Sequence, residues 1–540
     1  MCRAHRNARQ TLHLSTAQVE YKSTIGDKMK QQLKWSLRLL VATASMMIAN
    51  LASAAECNPW NSGTVYTQGL YSTHAGKTWR AKWYTQNEAP GSNQWGPWEE
   101  RPASECGVVV PPGGDGSGIP EPTPTVGKHL GSYFAQWGIY GRNYKLRNLV
   151  DTGNDKKLTF LNYAFGNVYG DGKCNIVTKA ENGNGDGGDG WADYQRGFAA
   201  GESVDGIGDT WDAKLKGNFN QLKKLKLRNP NLKVLISLGG WTWSKNFSKF
   251  SMTDASRKAL VTSCINLYVK GNLPSAEGAG GAGVAKGIFD GIDIDWEYPV
   301  SGGLPTNTYN AADKQNFTLL LAEFRKQLDA LAATNKRKYY LTVAIGAGAD
   351  KIRNTEPGLY SKHLDWINVM TYDFHGGWEG TGPTNFQSNL YRDPAAPVTG
   401  DLIKYNVDDA VTALIAGGMP KAKIVVGIPF YGRGWKGVTA GPKGDGLYQS
   451  ATSPAPGTYE AGIEDYKVLV QKRGTRYTHA VTKQLWSYDG NEFWSYDDPS
   501  VISTKSNYVK TQGLGGLFSW SLDGDDAQGN LLKAMTAVRQ

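Results

Sequence analysis

The sequence predicts an α/β protein: a (β/α)8 TIM barrel carrying an α+β insertion between its seventh and eighth strands, preceded by a small all-β module. Three observations predict it. From residue 128 onward, eight short β-branched or aromatic runs alternate with helix-like stretches. The interval between the seventh and eighth runs is far longer than one helix needs. Ahead of the barrel stands a short block dense in Trp and Tyr, followed by a Pro/Gly-rich segment. A chain of 540 residues accommodates two or three domains, and 40% hydrophobic with 20% charged residues excludes disorder throughout.

The N-terminal region reads as export machinery. Met29 opens a basic stretch through Lys30, Lys34 and Arg38, an apolar run follows from Leu39 to Leu51, and Ala52-Ser53-Ala54 is a small-residue cleavage pattern. Residues 29–54 therefore read as a signal peptide, and the protein as secreted and extracellular, with no membrane association once the signal is cleaved. This largely apolar run is only 13 residues long, short for a bilayer span, a membrane anchor being the alternative. Residues 1–28 precede a complete signal and read as a misassigned translation start.

Charge and cysteines agree with this reading. The net charge is +10, of which residues 1–28 carry +3 and residues 29–54 another +3, leaving +4 over the remaining 486. So sparse a charge argues against a nucleic-acid partner. Cys2 lies in the discarded segment, so the mature chain holds four cysteines. Cys57 and Cys106 bracket the aromatic block and are expected to pair with each other, leaving Cys174 for Cys264. The alternative is that the second two are free and buried. No cysteine spacing resembles a zinc site, nothing indicates an organic cofactor, and a monomer is expected.

Residues 55–106 hold Trp60, Tyr66, Tyr71, Trp79, Trp83, Tyr84, Trp95 and Trp98. About 50 residues bury so many rings only with a staple. Trp83 and Tyr84, at a turn or an edge, both reach solvent, where flat rings stack on the apolar faces of sugars; Trp79 and Trp95 read as core. Ala81-Lys82-Trp83-Tyr84-Thr85-Gln86, with Pro90 and Trp95, resembles the small chitin- and cellulose-binding modules of bacterial chitinases and endoglucanases (carbohydrate-binding families 5 and 12). The resemblance implies that Trp83 and Tyr84 form a chitin-binding face. Residues 107–127 read as a Pro/Gly linker without a core, partly extended.

The eight runs are Gly131–Gln136, Leu158–Phe165, Leu232–Gly239, Ile288–Glu297, Tyr339–Ile345, Trp366–Asp373, Ile424–Phe430 and Leu514–Leu522. Helix-like Asn218–Leu227 and Lys314–Leu331 lie between them. Residues 436–512 are expected as the inserted subdomain, walling one side of a cleft. Barrel active sites lie at the C-terminal ends of the strands.

The fourth run carries the chemistry. In Phe289-Asp290-Gly291-Ile292-Asp293-Ile294-Asp295-Trp296-Glu297, alternation puts Asp293, Asp295 and Glu297 on one face and Ile292, Ile294 and Trp296 on the other. Three carboxylates lined up inside a barrel cannot all ionise, and the outermost is best placed to stay protonated as a general acid. Asp290, Asp293, Asp295 and Glu297 meet D-x-x-D-x-D-x-E, which resembles the signature of family 18 glycoside hydrolases, the chitinases. Further pieces are Ser237-Leu238-Gly239-Gly240-Trp241, Met370-Thr371-Tyr372-Asp373, Tyr431-Gly432-Arg433 and Gly516-Leu517-Phe518-Ser519-Trp520.

That resemblance implies a retaining, substrate-assisted reaction on chitin and chito-oligosaccharides, with an oxazolinium intermediate. Glu297 would be the acid, Asp295 would orient the substrate's acetamido group, and Asp293 would trade a proton with Asp295. Tyr372 would donate to the acetamido oxygen, and Trp520 would floor the sugar site. Met370, Asp373, Tyr431 and Arg433 would shape the pocket, Ser237 would support Asp293, and Trp241 and Trp378 would stack on flanking sugars or form its rim. A cis peptide is implied at Trp520–Ser521. One departure stands out: family members often carry an aromatic directly after the first-strand glycine, where this chain has Ser132 and then Tyr133, so the network around Asp293 is expected to differ. His375 is expected to be a structural hydrogen-bonder. Three rival readings remain: a lectin on an inactive barrel, an endo-N-acetylglucosaminidase acting on N-glycans, and a cellulase, which the acetamido-dependent motif disfavours.

Overall fold

A computed structural model describes residues 59–62, 66, 71–83, 85–102 and 117–540. The expected signal peptide, Cys57, Cys106, Tyr84 and the first part of the expected linker lie outside the described residues. The chain divides into two compact units at Val109/Val110.

In the first unit, Tyr71–His74, Lys77–Ala81 and Trp98–Arg101 form an antiparallel three-stranded sheet. Ala75 and Gly76 join the first two strands with φ of 52° and 73°, the left-handed pair that a tight hairpin needs. Tyr66, Ala81 and Trp98 are buried, with Trp60 and Trp79 packed on them. Trp95 does not join this core. It is 82% exposed and Trp83 is 49% exposed, which corrects the expectation that Trp95 is core. The core is closed by Trp98 three residues later, whose Nε1 donates to the Glu88 carbonyl at 2.8 Å.

The second unit is a closed barrel of eight parallel strands. They are β1 (His129–Ala135), β2 (Phe160–Val168), β3 (Lys233–Gly239), β4 (Gly291–Asp295), β5 (Tyr340–Gly346), β6 (Trp366–Met370), β7 (Ile424–Pro429) and β8 (Gly516–Trp520). Each pairs in parallel with its neighbours, and β8 pairs with β1 to close the ring. The period-two alternation of the strands separates two cores. Ile292 and Ile294 of β4 and Trp296 beyond it pack outward among the helices. Tyr133, Leu235, Tyr340, Trp366 and Phe518 fill the inside.

The main helices of this unit include α1 (Leu146–Asp151), α2 (Gly217–Arg228), α3 (Asp254–Cys264), α4 (Asp313–Asn335), α5 (Val407–Ala416), α6 (Pro499–Gln512) and α7 (Asn530–Met535). The start of α6 is set locally: Asp498 accepts from the Val501 amide at 2.9 Å and Pro499 stands at the first helical position. Its end is set by Gly513 at φ 71°. Cys174, beside β2, is bonded to Cys264 at the end of α3, across 90 residues of sequence.

Between β7 and α6 runs a six-stranded antiparallel sheet whose first strand is Tyr431–Lys436 and whose last in sequence is Glu492–Tyr496. It buries its own cluster of Phe386, Trp435, Trp486 and Phe493.

The described part of the expected linker is not free of a core. Ile119 is buried, Arg337 donates to its carbonyl at 3.0 Å, and Lys233 donates to the Thr123 carbonyl at 2.8 Å. The apolar Ile119 and these two basic side chains fasten 117–125 to the barrel.

Asp290, just before β4, is fully buried between Lys226 and Arg337, each 2.6 Å from its Oδ1, and it accepts the Val234 amide at 2.9 Å on Oδ2. Removing one member of a buried ion group leaves uncompensated charge. Asp290→Ala is therefore expected to destabilise the barrel by about 3–5 kcal/mol, read as a lowered guanidinium midpoint; a midpoint equal to wild type would contradict this.

Candidate active site

The site is built upward from Asp293 in the middle of β4. Its Oδ1 accepts from Thr342 at 2.5 Å and from Asn368 at 3.2 Å. Its Oδ2 accepts from Tyr133 and from Ser237, each at 2.7 Å. Four neutral donors from β1, β3, β5 and β6 thus converge on one buried carboxylate. Burial pushes its pKa up while these donors hold it back.

Tyr133 settles the departure noted at Ser132. Ser132 sits at the other parity and bonds Ser519 Oγ at 2.7 Å. Tyr133, at the inward parity of β1, reaches Asp293. The hydroxyl that seemed displaced is therefore present, one residue later than expected.

Asp295 lies two residues further along β4. It is buried, and its Oδ1 has no hydrogen-bond partner among the described residues. Burial pushes its proton affinity far up, and the charges of Glu297 and Asp293 push it further. In this column Asp293, with four donors on it, is better placed than Asp295 to carry negative charge, and Asp295 is the better placed of the two to hold a proton.

Glu297 stands past the strand end. Its amide donates to Ser244 Oγ at 2.8 Å, and Asn307 Nδ2 donates to its carbonyl at 2.9 Å, so its backbone is fixed from two loops. Burial raises its pKa to about 7; a hydrogen bond from Tyr298 opposes the rise and the Asp373 charge adds to it. Such a carboxyl holds its proton up to neutral pH. Gly239 is required alongside: it has φ 109°, and a Cβ there would stand 2.3 Å from the Asp295 carbonyl oxygen.

A cleft of about 880 Å³ opens over this column, lined among others by Asp295, Glu297, Tyr372, Trp241, Trp378 and Trp520. Trp520 at the end of β8 stacks on Phe165 with ring centroids 5.5 Å apart and also packs on Tyr133 at 5.3 Å, giving the cleft an aromatic floor. The Trp520–Ser521 bond is cis, as expected; Ala164–Phe165 and Glu297–Tyr298 are cis too. Tyr372 is buried between Tyr431 and Phe518, and Met370 is partly buried against the same cluster. Asp373, at φ 58°, accepts from Tyr431 at 2.8 Å and from Arg433 Nε at 2.7 Å. Arg433 also lies over the Trp378 ring at 5.0 Å. Trp241 is half-exposed at the rim.

His375 is buried, its Nδ1 3.0 Å from Glu379. Among the described residues there is no group of three or more His, Cys, Asp or Glu placed to hold a metal ion, and no helix is long and apolar enough to cross a membrane.

Thr342, Asn368, Ser244, Asn307 and Phe165 were not singled out from the sequence. The inward parity of Thr342 and Asn368 was readable, but which inward residues share a layer depends on how the strands are staggered around the ring. Ser244 and Asn307 act from loops and carry no such signal.

A proton-bearing acid at the C-terminal end of a (β/α)8 barrel, set in an aromatic-floored cleft, stands where barrel enzymes hold their catalytic groups and where a general acid would act. The family model of glycosyl hydrolases family 18 matches residues 129–525, and the chain belongs to that family. Among curated relatives, Chitinase C of Streptomyces lividans is 41% identical over 432 residues, which is 79% of this chain and 62% of that protein. Chitinase 63 of Streptomyces plicatus is 41% identical over 437 residues, 80% of this chain and 64% of that protein. The chain thus spans less than two thirds of the length of these relatives. The solved catalytic domain of psychrophilic chitinase B from Arthrobacter TAD20 is similar at 47% identity and TM-score 0.73, covering 76% of this chain and 95% of that one.

A reaction that draws on the Glu297 proton slows as pH rises through about 7, because the protonated fraction then falls. Tyr298→Phe removes the hydrogen bond that lowers this pKa. The alkaline limb of the kcat/KM profile should therefore move up by about one unit; a limb that stays or moves down would contradict the assignment.

Proposed function

We propose that this protein is a secreted chitinase that hydrolyses β-1,4 linkages between N-acetylglucosamine units by a retaining, substrate-assisted mechanism. One observation carries the reading: three buried acids share one face of β4 and of the residues just past it, the middle one with an unpartnered oxygen, and the upper two line the cleft, where burial pushes the Glu297 pKa up to about 7. The names of the similar chitinases support the substrate class.

In this mechanism Glu297 gives its proton to the glycosidic oxygen as the bond to the anomeric carbon breaks. The substrate's own acetamido oxygen attacks that carbon, and an oxazolinium ion forms. Asp295 takes the acetamido N–H on Oδ1, which fixes the attacking group and balances the cation. Its proton passes to Asp293. Tyr372 donates to the acetamido oxygen and Trp520 carries the sugar ring. Glu297, now a carboxylate, takes a proton from the incoming water, which opens the oxazolinium with the original anomeric configuration. Met370, Asp373, Tyr431, Arg433 and Trp241 contact the sugars or shape their subsites. No metal or organic cofactor takes part.

Residues 29–54 support export. The first unit is proposed to bind chitin through Trp83 and Tyr84, and the exposure of Trp95 adds a third ring to that proposal.

Glu297→Gln keeps the shape and removes the acid. It should lower kcat on colloidal chitin by a factor of about 10³ or more while leaving chitin binding intact, and near-normal turnover would sink the acid assignment. Release of chito-oligosaccharides from chitin, rather than of glycans from glycoproteins, separates this reading from an endo-N-acetylglucosaminidase. Trp83→Ala should slow the attack on insoluble chitin alone; an equal loss on a soluble oligomer would show a structural role for that ring.

A further inference from the structure

We propose that Arg142 is a positioning residue that locks the inserted sheet to the barrel floor and so sets the width of the cleft. Arg142 follows β1, on a loop that no part of the mechanism above uses. Its guanidinium forks onto Asp465, Nε to Oδ2 at 3.0 Å and NH2 to Oδ1 at 3.1 Å. The same Nε lies 3.3 Å from Asp523 Oδ2. Asp465 ends the inserted strand Ile463–Asp465 and pairs in register with Tyr431. Asp523 lies in the turn after β8, and Ser521, next to Trp520, donates its hydroxyl to Asp523 Oδ1. Lys467 completes the group, donating to the Asp523 carbonyl at 2.5 Å and lying 3.2 Å from Asp465 Oδ2.

Three segments far apart in sequence therefore meet on one cation. Asp465 and Asp523 are both buried; burial pushes the Asp523 pKa up, the Asp465 charge adds to the rise and Arg142 opposes it. A forked arginine is the side chain that satisfies two desolvated carboxylates at once. The guanidinium face also lies 4.1 Å from the centre of the Tyr459 ring, which is half-exposed in the cleft wall. The inserted sheet is joined to the barrel by chain at Phe430 and Asp497. Arg142 adds a side-chain tie, beside Tyr459, which lines the same cleft as Trp520. No bond links Arg142 to Asp293, Asp295 or Glu297 among the hydrogen bonds and ion pairs described.

The inference rests on the chitinase reading for its kinetic test but not for its structural one. Arg142→Met should raise KM for a six-unit chito-oligosaccharide roughly tenfold or more while kcat stays within about twofold, because substrate alignment is lost and the acid is untouched. Arg142→Lys keeps the charge but cannot fork, and should fall between. Asp465→Asn added to Arg142→Met removes the uncompensated anion and should recover part of the loss. Tyr459→Ala, an exposed change that leaves the fold intact, should raise KM in the same direction. Independently of any substrate, amide hydrogen exchange across residues 457–467 should quicken in Arg142→Met. Unchanged exchange there in a folded variant, or a fall in kcat at unchanged KM, would overturn the proposal. If wild type leaves chito-oligosaccharides uncut, the chitinase reading fails, and the exchange result still decides the role of Arg142.

Discussion

The site depends on keeping one carboxylate charged in the middle of a closed barrel. Asp293 is shut away from water, and an isolated ion there would take up a proton. Four neutral donors from four different strands oppose that. Neutral donors matter: a lysine or arginine in their place would cancel the Asp293 charge and its push on the proton affinity of Asp295. Asp293 and Glu297 together drive Asp295 to hold a proton. Glu297 itself is held protonated by its own burial and by the charge of Asp373.

Much of this was legible in the sequence because it follows from short periods. The eight apolar runs match the eight strands, each within a few residues, since a parallel barrel buries both faces of its strands. The D-x-x-D-x-D-x-E spacing placed three acids on one face, and all three line the interior. What was not legible involves register and long separation. Tyr133 is the exception, since parity from Gly131 puts 133, not 132, inside. Thr342 and Asn368 depend on the stagger of β5 and β6 relative to β4. Trp95 was read as core because a Trp-dense block suggests one, yet Trp98 fills that place. Ile119 lay in a stretch whose prolines and glycines hid a single apolar anchor. Arg142 stands 323 residues before Asp465 and further still from Asp523, and the three meet only once the inserted sheet is folded.

Asp290 shows how one motif mixes two duties. Its spacing belongs with the acids, but its carboxylate lies at the opposite end of β4, between Lys226 and Arg337. There it fixes the strand that carries the other three. A motif read only as chemistry would assign it to the cleft; parity and position along the strand assign it to stability.

The column also bears on which substrates suit it in the proposed reaction. At rest the negative charge belongs to Asp293 and a proton to Asp295. When Glu297 gives up its proton, a second negative charge appears beside Asp295, and burial makes that costly unless a cation arrives with it. A sugar bearing an acetamido group supplies the cation as its own oxygen closes on the anomeric carbon. The proton then leaves Asp295 for Asp293, and the charge moves up the column to face the oxazolinium. A polymer of plain glucose brings no such internal nucleophile, so its glycosyl cation would form with no neighbouring group to capture it. In the proposed reaction, a column that sets no protein nucleophile against the anomeric carbon therefore suits a substrate that carries its own.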